Sequence, residues 1–190
     1  MGRAYAPHRA RHGAGCIAYA ISYEKALFLA ALAVGAGRVL EVGTALGYST
    51  LWLARGVGKG GVVDTVEWDT GHARLARQHF EKHEGGSRVQ LHVGDAREVV
   101  PDLEPGYGLA FLDVEWHTHS DLWPRMERLL RPGGFACLSN VWVTDEKDFR
   151  SGVTERRAAR DLIRRLQDNP SWSYSLVTAG SPMVVVGRRG

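Results

Sequence analysis

Apolar residues along the chain follow two patterns, short continuous runs and stretches in which they recur every three or four positions. The continuous runs predict buried strands at Arg38–Val42, Val62–Val66, Arg88–Val93 and Leu109–Asp113. The helical spacing predicts helices at Tyr23–Val34, Tyr48–Arg55, Thr70–His83 and Ala96–Val100. Strands that are apolar throughout and separated by helices are typical of a parallel sheet covered on both faces.

The second half of the chain adds a helix and a strand and then changes character. A helix is predicted at Ser120–Leu130, the RPGG segment Arg131–Gly134 is expected to break the chain, and a strand follows at Phe135–Ser139. A helix at Thr154–Gln167 precedes two strands, Trp172–Val177 and Met183–Gly187, whose connection is short enough for a hairpin. We therefore predict an α/β fold with a Rossmann-like, doubly wound sheet that is mostly parallel and ends in an antiparallel C-terminal hairpin.

The composition adds limits on domain number and location. A chain of 190 residues with 44% hydrophobic and 24% charged residues fits one globular domain. The longest apolar stretch, Ala26–Val34, is too short to span a bilayer, and the amino terminus lacks the apolar core of a signal peptide, so we expect a cytoplasmic protein without a membrane partner. Two cysteines cannot form a disulfide framework.

The charge distribution suggests an arm and leaves an anionic partner open. The net charge is +3, with arginines scattered through both halves of the chain, which weakly permits RNA as a partner, although no aromatic-rich binding motif accompanies them. Residues 1–19 are rich in Arg, His, Gly and Ala and are predicted to form a flexible basic arm. Residues 20–190 are predicted to form the folded domain.

The first predicted strand ends in a glycine-containing loop, within the stretch VLEVGTALGYST. In a doubly wound sheet this loop is a usual ligand cradle. A phosphate-binding P-loop would need a Gly-Lys-Ser/Thr ending, and a dinucleotide fold would need Gly-x-Gly-x-x-Gly, whereas this loop offers only Gly43 and Gly47. Glu41 would also place a negative charge beside a pyrophosphate, which disfavours an NAD-linked oxidoreductase.

S-adenosylmethionine suits this loop better, because it has a sulfonium and an ammonium group but no phosphate. Glu41 can face its cationic part, and backbone N–H groups of the loop can hold its carboxylate. Glu67 ends the second strand about twenty residues downstream, the spacing at which an acid reaches a ribose diol in this architecture. Asp95 and Ala96 follow the third strand and are expected near the adenine. The sequence therefore predicts a nucleoside cofactor at the carboxyl ends of the strands.

Six segments of the chain resemble the class I S-adenosylmethionine-dependent O-methyltransferases, in particular the catechol and caffeoyl-coenzyme A type. They are RVLEVGTALGYSTLWLA, VEWD, HVGDA, LAFLDVEW, LLRPGGF and the terminal LVTAGSPMVVVGR, and the resemblance covers roughly residues 20–189. The resemblance implies a seven-stranded sheet whose last strand is antiparallel, which agrees with the pattern at the end of the chain. It also implies an enzyme that methylates an oxygen of a small hydroxylated acceptor.

The resemblance also implies which residues bind the cofactor. It places Glu41, Gly43, Gly47 and Ser49 at the methionine end, Glu67 at the ribose, and Asp95 and Ala96 near the adenine. The full candidate set is Glu41, Gly43, Thr44, Ala45, Gly47, Ser49, Glu67, Trp68, Asp95, Ala96 and Asp113.

The chain departs from the resembled family at the residues that bind a divalent metal. In that family the acid at the end of strand four, here Asp113, binds the ion together with an Asp-Asn pair after strand five, but this chain has Ser139 and Asn140 there. Mg²⁺ needs carboxylates among its few protein ligands, so Asp113 and Asn140 at most predict weak metal binding. Restoring the acid with Ser139→Asp is expected to raise Mg²⁺ affinity.

The general base is a second departure. The family tends to have a lysine that acts as general base at the position of Trp116. His117 and His119 follow directly and could take its place, so Asp113, His117 and His119 are the candidate catalytic residues.

Two alternatives to a small-molecule O-methyltransferase remain, namely an RNA methyltransferase and a nucleoside-binding protein that has lost catalysis. The sequence also leaves a homodimer open.

Overall fold

Seven strands form one sheet in the computed structural model, which describes residues 20–140, 153–179 and 181–190. The strands are β1 (Arg38–Val42), β2 (Val62–Glu67), β3 (Val89–Val93), β4 (Tyr107–Leu112), β5 (Leu130–Leu138), β6 (Trp172–Ala179) and β7 (Ser181–Arg188). Their order is β3-β2-β1-β4-β5-β7-β6. The first five pair in parallel, whereas β7 is antiparallel to both β5 and β6. The predicted doubly wound, seven-stranded sheet with an antiparallel end is confirmed.

Helices cover both faces of the sheet. They are α1 (Tyr23–Ala33), α2 (Tyr48–Val57), α3 (Thr70–Phe80), α4 (Ala96–Val99), α5 (Trp116–Leu129) and α6 (Val153–Asp168). Alternate residues of each strand enter different apolar clusters, so Val39 packs with α1 and α2 while Leu40 packs with α5 and α6. The core therefore has two layers, one on each face of the sheet, and the helices between the strands cover both.

The largest differences from the predicted element boundaries are at the starts of α5 and β5. Helix α5 begins at Trp116 rather than Ser120, because Glu115 has the extended backbone of an N-cap residue. Strand β5 begins at Leu130 and runs through the segment predicted as a break. A register irregularity opposite Tyr107 and the left-handed backbone of Gly133 accommodate the glycines within the pairing.

Other predictions about the chain ends and membrane association have different outcomes. The predicted arm, residues 1–19, lies outside the described residues. Within the part of the chain that the structure describes, no helix is both long enough and apolar enough to cross a membrane.

The candidate site lies at the edge of the sheet where the parallel strands end. Strand β1 lies between β2 and β4 and runs parallel to both, so the loops that follow these three strands meet at that edge.

Candidate functional site

The loop after β1 has the left-handed backbone and close packing that its glycines predict. Positive φ angles occur at Gly43 (+100°), Ala45 (+46°) and Gly47 (+82°). A Cβ atom on Gly43 would lie 2.7 Å from the backbone oxygen of Asp113, and one on Gly47 would lie 2.4 Å from Cε1 of Phe80. No side chain fits at either position, so the loop backbone itself forms the floor of the site.

Glu67, at the end of β2, fixes this loop from the neighbouring strand. The backbone N–H of Ala45 donates to its Oε2 at 2.7 Å, and the backbone N–H of Asp69 donates to its Oε1 at 2.9 Å. The residue is only 4% exposed. Each carboxylate oxygen retains a second acceptor position, so Glu67 can hold the loop and still receive hydroxyl groups of a ligand.

Glu41 lies beneath the loop and is fully buried. Its Oε2 accepts hydrogen bonds from the hydroxyls of Thr50 and Thr65, the second at 2.6 Å. Its Oε1 has no hydrogen-bond partner among the described residues. Burial raises the pKa of Glu41 to about 7, although the surrounding hydroxyls oppose the shift. A buried acid with one unsatisfied oxygen is costly to ionise and is typical of a site that receives a positive charge.

The hydroxyls around Glu41 form an ordered chain that the sequence did not predict. Thr44 and Thr65 lie 2.6 Å apart through their Oγ1 atoms. Because Thr65 gives its one proton to Glu41, Thr44 must be the donor in that pair. Ser49 is also buried at the start of α2 and favours the ionised form of Glu41.

Asp113 follows β4 at the same edge. Its backbone N–H donates to Val42 O at 2.9 Å, and Nδ2 of Asn140 donates to its Oδ1 at 3.1 Å. The left-handed backbone of Asn140, with φ of +65°, follows the end of β5. Burial raises the pKa of Asp113, an effect that Ser139, Lys25 and Asn140 oppose. The two predicted ligand residues are thus in contact, but through a hydrogen bond to each other.

Lys25 is the site residue that sequence reasoning missed. Its place beside Glu24 near the start of the first predicted helix suggests the polar side of that helix, which is wrong, because its side chain is fully buried. Its Nζ donates to Oγ of Ser139 at 2.9 Å. Burial lowers the pKa of Lys25, and the charge of Asp113 opposes that shift. A signal was present in the sequence, since Lys25 precedes Leu29 by one helical turn on the face that packs against the sheet.

These residues do not fit a divalent cation. Among the residues that the structure describes there is no group of three His, Cys, Asp or Glu side chains able to hold a metal. Ser139 offers a neutral oxygen that already accepts from Lys25. A divalent ion 4 Å from an ammonium would be repelled by about 8 kcal/mol at an effective dielectric constant near 20. Ser139, at the position of the family's metal-binding acid, is therefore already bonded to a cationic side chain of the protein itself.

The remaining predicted residues lie in varied surroundings. Trp68, next to Glu67, is 78% exposed, while Ala96 is buried at the start of α4. Asp95 accepts from Arg97, and this pairing lowers the pKa of Asp95 to about 2.

The two predicted histidines differ sharply in exposure. His117 is exposed on the first turn of α5. His119 is fully buried, and its Nε2 donates to Val114 O at 2.8 Å. Its second ring nitrogen is buried as well, so His119 has a local structural role whatever else it does.

Comparisons with known proteins agree on one family. A family model described as O-methyltransferase matches residues 10–189. The catechol O-methyltransferase of Mycobacterium tuberculosis is 33% identical over 179 residues, covering 92% of this chain and 77% of that protein. The catechol O-methyltransferase of Niastella koreensis is 34% identical over 148 residues, covering 75% of this chain and 66% of that protein. The crystal structure of cofactor-bound Rv0187 from MTB aligns with a TM-score of 0.83 at 28% identity, over 99% of this chain and 88% of that one.

Proposed function

Because this chain belongs to the O-methyltransferase family, we propose that it transfers a methyl group from S-adenosylmethionine to a hydroxyl oxygen of a small, catechol-like acceptor. The observation that supports this most directly is the left-handed Gly43–Gly47 loop, held between Glu67 on one side and the backbone of Asp113 on the other. This loop has neither the lysine of a phosphate-binding loop nor the glycine spacing of a dinucleotide fold.

Each part of the cofactor has a matching group at this edge of the sheet. The loop backbone and Ser49 receive the methionine carboxylate, and the buried charge of Glu41 beneath them favours the cationic end. Glu67 accepts the ribose hydroxyls through the acceptor positions that the loop leaves open. The exposed indole of Trp68 stacks on the adenine, whose edge meets the segment that begins at Asp95.

The acceptor binds beside Asp113. Its hydroxyl gives a proton to His117, its oxygen forms the new C–O bond with the methyl carbon, and the C–S bond breaks with its electron pair remaining on sulfur. The protein supplies mainly proximity and orientation, which contribute about 7–11 kcal/mol in ideal cases. Two relatives are named catechol O-methyltransferase, and this supports a vicinal diol as the acceptor.

Calorimetry and a methyl-transfer screen test this function separately. Calorimetry is expected to detect binding of S-adenosylhomocysteine but not of NAD, and Glu67→Ala is expected to weaken that binding at least tenfold. Glu104→Gln is the matched control, because Glu104 is an exposed acid before β4, at the opposite edge of the sheet. Tight NAD binding, or a Glu67→Ala variant with undiminished affinity, would refute the cofactor site.

The screen uses methyl-labelled cofactor with catechols, hydroxycinnamoyl esters and bulk RNA. Label transfer to a catechol supports the proposed acceptor class, whereas transfer to RNA alone would replace it with the RNA methyltransferase alternative. Cofactor binding without transfer to any acceptor would favour a nucleoside-binding protein without catalysis. Light scattering on the same sample measures whether the chain forms a homodimer.

A further inference from the structure

We propose that the ammonium group of Lys25 is a built-in cation of the acceptor pocket, which stabilises the negative charge on the acceptor oxygen in place of a divalent metal. This inference rests on the proposed function, because it concerns the acceptor side of the same site. It gives Lys25 an electrostatic role toward the reacting oxygen, exerted from its buried position beside Ser139, and makes methyl transfer independent of added metal.

The position of the amine is the first observation. Lys25 reaches the end of β5 from α1, and its Nζ donates to Ser139 Oγ at 2.9 Å. Ser139 is at the position where the resembled family has a metal-binding carboxylate, and its neighbour Asn140 contacts Asp113. The amine therefore lies among the residues that would otherwise surround the ion.

The cost of burying this amine is the second observation. Lys25 and Ser139 are 0% and 1% exposed, and lysine is almost never fully buried unless it is paired. A helix that only had to pack against the sheet would gain stability from an apolar residue at this position. A buried cation beside a carboxylate, at the ligand-binding edge of a doubly wound sheet, indicates a role in binding or catalysis.

The chemistry of the transfer requires such a charge. The acceptor oxygen becomes negative when it loses its proton, and a fixed cation that is shielded from water stabilises this charge without reorganising. The bonds made and broken are those given above, and Lys25 exchanges neither a proton nor an electron pair in the step. In metal-dependent transferases the divalent ion supplies the same electrostatic effect.

The inference changes the expected result of restoring the family's acid. Ser139→Asp places a carboxylate against an ammonium that is already present, so the new group forms an ion pair with Lys25 and Mn²⁺ affinity stays low. Metal binding requires removal of the ammonium as well. The double variant Lys25→Gln/Ser139→Asp is therefore expected to bind Mn²⁺ at least tenfold more tightly than Ser139→Asp alone.

Mn²⁺ titration of the full-length protein tests the inference without any need for activity. The wild-type protein, both single variants and the double variant are titrated calorimetrically after treatment with EDTA. Millimolar or weaker affinity in the wild type, with a clear gain only in the double variant, supports the proposal. Micromolar Mn²⁺ binding by the wild type, or a Ser139→Asp variant as tight as the double variant, would overturn it.

Turnover of a catechol acceptor with labelled cofactor provides the second readout. Wild-type activity is expected to persist in EDTA, while Lys25→Gln lowers kcat by about 10²- to 10³-fold and leaves the KM for the cofactor nearly unchanged. Lys25→Arg is expected to recover part of kcat, and Lys59→Gln is the control for an exposed lysine. Full turnover in a folded Lys25→Gln variant would refute the role of Lys25. If no acceptor is methylated at all, the proposed function fails, and the Mn²⁺ titration still tests whether the ammonium of Lys25 keeps a divalent metal out of the site.

Discussion

Glu41→Gln is expected to gain stability relative to the wild type as pH rises, while it weakens cofactor binding. In the folded chain burial raises the pKa of Glu41 from 4.5 to about 7, so the folded state holds the carboxyl proton more tightly than the unfolded state does. Such a group lowers the free energy of unfolding as pH rises from the unfolded to the folded pKa. Glutamine removes that cost because it does not ionise.

The size of the effect follows from the shift in pKa. One pKa unit corresponds to about 1.4 kcal/mol, so ionisation of Glu41 costs the wild type about 3 kcal/mol at pH 8 and less than about 1 kcal/mol at pH 5. The glutamine amide adds an offset of its own, since the buried Oε1 position has no partner among the described residues. That offset does not change with pH, and the difference between the two pH values therefore isolates the carboxyl group.

Urea unfolding of both proteins between pH 5 and pH 8 is the measurement. The stability of Glu41→Gln relative to wild type should increase by about 2 kcal/mol across this range, because other titrating groups cancel in the comparison. The same variant should bind S-adenosylhomocysteine at least tenfold more weakly, since the cationic end of the ligand loses its buried counter-charge. Parallel stability curves for the two proteins would show that folding does not raise the pKa of Glu41 and would refute the reasoning.

Three further predictions concern the loop, the adenine and the histidines. Gly43→Ala should lose cofactor affinity and about 2–4 kcal/mol of stability, because its Cβ would lie 2.7 Å from a backbone oxygen. The control is Gly60→Ala, which is also at positive φ but in open space and should lose only about 1–2 kcal/mol in urea unfolding. Trp68→Ala should abolish the change in tryptophan fluorescence that S-adenosylhomocysteine causes and leave stability unchanged; a persisting change would exclude stacking on Trp68. His117→Ala should lower kcat about 10²-fold, while His119→Ala should mainly cost about 1–3 kcal/mol of stability, and unchanged turnover in a His117→Ala variant would exclude it as the base.

Much of the fold and part of the site could be predicted, because they depend on local patterns. Continuous apolar runs separated by helical spacing identified the seven strands, and the largest errors were in the bounds of α5 and β5. The glycines after β1 were recognisable because a left-handed turn and close backbone approach exclude other side chains. The acids at the ends of β1, β2 and β4 were recognisable because parallel strands end at the same edge of the sheet.

The contacts of these acids could not be predicted, because their partners are distant in the sequence. Thr65 reaches Glu41 because β2 pairs with β1 in a register that places the two residues side by side. Asn140 reaches Asp113 because β5 is the neighbour of β4. Both contacts depend on strand order and register, which the apolar pattern of a single strand does not specify.

The sequence by itself determined the alternation of buried strands and helices, the turn after β1 and the absence of a carboxylate at Ser139, since each of these is a property of neighbouring residues or of residue type. Only the tertiary structure decided what replaces that carboxylate. Lys25 looked like part of a polar helix face, but packing of α1 against the sheet encloses it and brings its amine to Ser139. The physical reason is that the face a helix buries depends on the surface against which it packs. Whether a charged side chain at the border of that face is buried is therefore decided only when the helix packs against the sheet.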